Sequence, residues 1–258
     1  LRRSTRVTVI ATGLAATAAV ATTALTLSGQ PASTQQDTPA MILAHGADRH
    51  PAQTATDWVT YADHVVEVTP VSEREISPSQ DEVDRGEGLI LRKVTLRVDK
   101  VLWSSDTAAK DAPTSFEWIA HGWQFTDGSM NNRTEMAGEG EPRIEAGHHY
   151  VMAIDWQAPK CDPGDGEIPG QWRGLGSESN IPYDNGVLGQ GEFQGQTQSS
   201  KAARVAAADD DEDPNYSLRD EFIGRTAEDL AKRLAGTEPG QPAQEQSAAP
   251  NVRNASCG

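Results

Sequence analysis

Three histidines are the side chains of this chain best suited to hold a metal or move a proton: His121 in FEWIAHGWQF and the pair His148 and His149 in HHYVMAIDW. A zinc site needs three or four ligands at about 2 Å in a tetrahedral array. In an extended strand His148 and His149 point to opposite faces, so only one of them can join His121. Asp155 shares the His149 face and would add a carboxylate. His121, His149 and Asp155 are therefore the residues that could carry a metal, set against the plainer reading of histidines on a polar strand face. The expectation is that no metal or other cofactor is held. Asp162-Pro-Gly-Asp165-Gly-Glu167 offers oxygen ligands between glycines, but it lacks the EF-hand spacing and reads as an acidic turn.

Other chemistry leaves no signature. Gly176-Ser177-Glu178-Ser179 is not a G-x-S-x-G nucleophile elbow, and neither a phosphate-cradling loop nor a dinucleotide fingerprint occurs. With 38 acidic residues, no pair of carboxylates stands out for acid–base work. No catalytic residue is expected. Trp118, Trp123, Trp156 and Trp172 remain, either as core filling or as an aromatic platform for a glycan or peptide, since tryptophan concentrates at binding hot spots. Trp123, beside Gly122, is the one expected to stand exposed and bind. Cys161 and Cys257 are the only cysteines. A bridge between them would close a long loop, worth roughly 4–5 kcal/mol by chain entropy. Intermolecular pairing and free thiols stay open as alternatives.

Strands must position these groups. His64 to Val71 is rich in β-branched residues. In Ile90 to Trp103, Val94, Leu96 and Val98 alternate with Lys93, Thr95, Arg97 and Asp99, the period of a strand with one wet face. Phe116 to Phe125, with a bulge at Gly122, and His148 to Trp156 follow. A short helix is expected within 54–63. A second helix, within 217–236, is signalled by Thr226 as N-cap, Asp229 three residues on and Gly236 as the stop. Strands separated by turns predict a mainly β fold, an antiparallel barrel or sandwich.

Composition sets the boundaries. The 258 residues carry 22 basic and 38 acidic groups, a net charge of −16 that argues against nucleic acid as a partner. Leu, Ile, Val and Phe make up only 44 of the residues, a level that supports one core with polar flanks. Arg2, Arg3 and Arg6 precede the uncharged stretch Val7 to Leu27, the mark of an export signal. That stretch is also long enough to serve as an anchor in the cytoplasmic membrane. The expected organisation is a signal or anchor at 1–28, a linker at 29–53 and the β-domain at 54–157. A loop-rich extension docked on it (158–200), an acidic linker (201–216), a helix (217–236) and a disordered tail (237–258) follow.

The segments ADHVVEVTPV, VTLRVDKVLW, FEWIAHGW and IEAGHHYVMAIDW, between Ala62 and Trp156, resemble in their order the strands of OB-fold-like barrels of the netrin/TIMP type. They are similar to uncharacterised exported actinobacterial proteins in which such a barrel follows a signal sequence. The metalloprotease inhibitors among these relatives use an N-terminal cysteine, and no cysteine precedes Cys161 here, so that activity does not carry over. The resemblance implies a protein that is secreted or held at the cell envelope. The function expected is non-enzymatic binding of a protein, peptide or glycan by the β-domain, with membrane contact only through the N-terminal segment. An extracellular metal-dependent hydrolase and a membrane-anchored structural spacer are the alternatives.

Overall fold

The computed structural model describes residues 41–162, 166–209 and 217–242. The expected export segment (1–28), the part of the linker before residue 41, the tail beyond 242, Cys257 and the centre of the acidic turn after Asp162 lie outside the described residues. Along the chain come β1 (Ile42–Ala44), α1 (Ala55–Tyr61), β2 (His64–Ile76), α2 (Gln80–Arg85), β3 (Gly88–Ser104), β4 (Ser115–Thr126), β5 (Ser129–Gly138) and β6 (Tyr150–Gln157). The hairpin β7 (Lys160–Asp162) and β8 (Gly166–Ile168), then β9 (Gln171–Gly174) and β10 (Asn180–Pro182), follow. The hairpin β11 (Gly191–Phe193) and β12 (Gln196–Gln198) leads to α3 (Ser200–Asp209), α4 (Leu218–Phe222) and α5 (Ala227–Ala235).

The protein is mainly β. One sheet runs β1-β5-β4-β3-β2-β6-β10, with β9 pairing β6 beside β10. All its pairings are antiparallel except β1 on β5, a correction to the wholly antiparallel expectation. The sheet does not close into a barrel. Along Ser115–Ala120, β4 pairs with β3 alone, because β5 joins it only at Trp123–Thr126. On the far side β9 approaches β4 without pairing to it. The seam between them stays open.

Why some strands alternate and others do not follows from what covers them. In β3, Val94 and Leu96 are buried while Lys93, Thr95 and Arg97 are not. In β6, by contrast, all of Tyr150–Ile154 is buried. Tyr150, Met152 and Ile154 point into the inner core with Val66, Val68, Leu96, Phe116 and Trp172. Val151 and Ala153 point the other way, into a second core with Val65, Trp58, Leu175 and Ile181. A strand covered on both faces reads as a continuous apolar run. The second core is roofed by α1, α4 and α5 through Leu218, Phe222, Leu230 and Leu234.

The helices obey their caps. Thr54 and Asp57 cap α1, and Thr226 and Asp229 cap α5, each in a reciprocal box that satisfies free backbone N–H groups. The single helix expected over 217–236 is two. Gly224, at φ 82°, turns the chain between α4 and α5, so the two apolar faces reach the same core from different directions. Glu228 bonds Lys100 of β3 at 2.5 Å. Residues 201–209, expected as part of an acidic linker, fall within α3; the alanine run outweighs the neighbouring acids. Between β2 and β3, α2 is capped by Ser79 and Glu82. Strand β5, at Ser129–Gly138, and strand β1, within the expected linker, had no sequence signal of their own. The expected bulge at Gly122 is present: the register of β4 on β3 shifts between Ile90 and Arg92.

Candidate functional site

The open seam is the place to build from. Its walls are Glu117, Trp118 and Ile119 of β4 on one side and Gln171, Trp172, Arg173 and Gly174 of β9 on the other. Ala47, Asp48, Arg49, Glu141, Gly176 and Asn180 complete the lining of a cleft of about 200 Å³.

Each wall has a local cause. Strand β9 pairs with β6 at Ile154–Gln157, and β10 resumes along the same edge of β6 at Tyr150–Met152. Between them the chain swings off the edge through Leu175, Gly176 and a 3-10 turn at Ser177–Ser179. The hydroxyl of Ser179 accepts hydrogen bonds from the N–H groups of Leu175 and Gly176 at 3.2 Å. Asp48 ties this turn to the segment after β1, accepting from the Ser177 N–H at 2.7 Å and the Ser177 hydroxyl at 3.2 Å. Position 176 must be glycine for this approach, since a Cβ there would lie 2.4 Å from the Asp48 carboxyl carbon. Across the cleft the Trp118 ring lies over Gly174, where a Cβ would come within 2.8 Å of it.

Glu141 enters from the loop between β5 and β6, and that loop is held by a buried polar frame. Arg143 and Arg92 are both buried, with backbone carbonyls as their chief acceptors. Arg92 donates to the carbonyls of His121 (2.8 Å), Arg143 and Ile144, and to the Glu73 carboxylate at 2.6 Å. Arg143 donates to the carbonyls of Met136 and Gly122, each at 3.0 Å. Ile144, a buried β-branched residue, takes φ 62°, a costly left-handed conformation that only a surrounding network maintains.

The cleft is lined by charges of both signs, Asp48, Glu117 and Glu141 against Arg49 and Arg173, and they are incompletely paired. Burial, reinforced by the negative charge of Asp48 and opposed by Arg219, pushes the Glu141 carboxyl up to about 7. Glu178 is raised by burial as well, although Arg219 bonds it at 2.8 Å. Arg49 bonds Asp155 and donates to the Gly174 carbonyl at 3.2 Å, but its Nε is buried without a partner. Asn180 is 2% exposed and its Oδ1 is likewise buried without a partner. A buried polar atom left unpaired is expensive, about 1–3 kcal/mol, and such groups concentrate where something else completes them.

The residues singled out from the sequence fall elsewhere, or play other parts. His121 sits on β4 with a buried, unpartnered Nδ1, and burial together with Arg92 and Arg143 lowers its pKa. His149 is exposed at the start of β6, which is not a neighbour of β4 in the sheet. Asp155 is bonded by Arg49. The three are not brought together, and among the described residues no group of three His, Cys, Asp or Glu is placed to hold a metal. Trp123 is not an open platform: the guanidinium of Arg133 stands 4.2 Å from its ring centre and that of Arg143 at 5.3 Å. Trp156 packs edge-on against Trp172 at 5.4 Å. Cys161 is exposed on β7 and is not a free thiol, while Cys257 lies outside the described residues. Asp48, Arg49, Glu141 and Asn180 were missed because nothing in their sequence neighbourhoods separates them from other polar loop residues. Only Trp118 and Trp172 had been flagged.

No family model, curated protein or solved structure matches the chain. Among the described residues no helix is long and apolar enough to cross a membrane.

Proposed function

We propose that this is an exported, non-enzymatic protein of the cell envelope or the medium, whose β-domain binds a peptide, protein or glycan in the cleft between β4 and β9. The observation that carries the reading is the cleft itself, where Trp118 of β4 and the β9 segment from Gln171 to Gly174 face each other without pairing and the buried Asn180 joins the lining. A ligand that lays an apolar face along Trp118 and meets the charged groups of Asp48, Arg49, Glu141 and Arg173 would fill it. The arginine-led apolar segment at the N-terminus, and the resemblance to exported OB-fold-like proteins over Ala62–Trp156, support the location. The full chain, displayed against glycan and peptide arrays, is expected to retain a defined set of ligands that Trp118→Ala loses. Equal retention by the variant, or no ligand on either array, removes the cleft from the proposal. Cell fractionation checks the location, and recovery of the protein in the cytoplasm counts against it.

One observation favours a second reading. Glu141, held near neutral pH beside Asp48, has the protonation behaviour of a general acid in hydrolysis. Turnover of a retained ligand, abolished in Glu141→Gln, would replace binding with catalysis.

A further inference from the structure

We propose that a disulfide between Cys161 and Cys257 makes the C-terminal segment a closed strap that holds residues 237–242 against α1. Cys161, exposed on β7, is disulfide-bonded, and Cys257 is the other cysteine of the chain. Past α5 the chain is already docked. Thr237 donates its N–H to the Leu234 carbonyl at 3.0 Å and its hydroxyl to the Arg233 carbonyl at 2.8 Å. The Gly240 N–H then donates to the Thr60 hydroxyl of α1 at 2.7 Å, beside Thr56. Yet Glu238 to Pro242 are all exposed and bring no large apolar side chain to either core. Hydrogen bonds open to water hold such a stretch weakly, whereas a covalent link at its far end removes most of its freedom to leave.

The geometry permits the link. From Gly240 the protein leads to Cys161 by short steps: Thr60, then Asp63, whose carboxylate accepts the Trp156 N–H at 2.8 Å, then five residues along β6 and β7. That path bounds the gap at about 40 Å, and the 17 residues from Gly240 to Cys257 reach about 55 Å when extended. The closed loop contains β9, β10, α4 and α5, hence one wall of the cleft and most of the roof of the second core. Closing the bond takes one proton and one electron from each thiol. A thiol–disulfide oxidant outside the cytoplasm accepts them: one thiolate attacks its disulfide, the second displaces it as a dithiol. The place of closure, though not the pairing, rests on the exported reading.

The full chain is recovered from each cell fraction with iodoacetamide present at lysis, digested with trypsin without reduction and read by mass spectrometry. Cleavage after Lys160, Arg173 and Arg253 is expected to release residues 161–173 joined to residues 254–258. Residues 161–173 joined to their own copy, in a reducible dimer, overturn the strap, and so do alkylated thiols in chain from the envelope or medium. Alkylated thiols in chain from the cytoplasm overturn the exported reading instead. The purified chain, oxidised with glutathione disulfide, then decides the pairing: 161–173 joined to 254–258 upholds it, and any other product overturns it. Hydrogen exchange reads the strap directly. Cys257→Ser, or reduction of the unaltered chain by a phosphine, is expected to speed exchange of the Gly240 amide at least tenfold while β2 and β3 stay unchanged. Equal exchange at Gly240 with the bond open and closed overturns the strap.

Discussion

The Tyr150 hydroxyl donates to the carboxylate of Glu192 at 2.7 Å, in the interior, and that carboxylate also accepts the N–H groups of Arg143, Ile144 and Gly195. Four donors converge on one buried carboxylate, and burial first, then the neighbouring Glu192, raises the tyrosine pKa. Glu192 is thus the group that fixes Ile144 in its left-handed conformation and sets the loop carrying Glu141. Glu192→Gln replaces two of the acceptor sites by a donor amide and is expected to destabilise the fold by about 3 kcal/mol, whereas Tyr150→Phe costs about 1–2 kcal/mol. A double-mutant cycle by urea unfolding checks the coupling; additive effects would show that the two side chains do not act as a unit.

Glu141 predicts a pH dependence with a definite sign. Its folded pKa, about 7, lies above the ordinary glutamate value of 4.5, so between those limits the native state binds more protons than the unfolded chain. Stability therefore falls as pH rises through this window and levels off above it. Glu178 and Asp155, both raised chiefly by burial, push in the same direction. Glu141→Gln is expected to flatten the slope and to gain on the order of 2 kcal/mol at pH 8 relative to pH 5, allowing for partial exposure. Urea midpoints of both proteins at the two pH values test it, and a parallel slope in the variant would reject the assignment.

Arg92 gives a third test. Its guanidinium is buried, and three of its four partners are backbone carbonyls, which a shorter point charge cannot reach together. Arg92→Lys should therefore be nearly as damaging as Arg92→Met, each by about 3–5 kcal/mol. Rescue by lysine would mean that charge pairing with Glu73, rather than the fork geometry, is what matters.

Helix α5 tests whether the C-terminal segment belongs to the same cooperative unit as the sheet. Leu230 is fully buried in the core shared with Val65 and Val151, and Thr226 caps the helix at its exposed N-terminus. Leu230→Ala is expected to cost about 2–5 kcal/mol and Thr226→Ala about 1 kcal/mol, both seen as shifts of one global transition. A separate early transition for α5, with the sheet unaffected, would show it to be an appended element.

Gly176→Ala should leave the core intact and disturb the cleft, because the added methyl collides with the Asp48 side chain. The expected outcome is a change in Trp118 fluorescence with a loss of about 1–2 kcal/mol, within the usual range for a destabilising point substitution. Unchanged fluorescence would mean that Asp48 yields without moving the wall.

What the sequence determined by itself is local. The alternation of Val94, Leu96 and Val98, the caps at Thr54 and Thr226, the stop at Gly236 and the bulge at Gly122 were legible because each depends on neighbours a few residues away. Strand β5 was not, because MNNRTE at its start has no apolar period and is held in place by its partner β4. Nor was the break between α4 and α5, where the apolar stripe runs on but Gly224, at φ 82°, separates the two helices. The cleft belongs wholly to tertiary structure. Asn180 of β10, Arg49 after β1 and Glu141 after β5 come from segments far apart in the chain, and what distinguishes them is their burial. Burial of that kind is decided by how β9 and β10 share one edge of β6, and a polar residue carries no trace of it in its own neighbourhood.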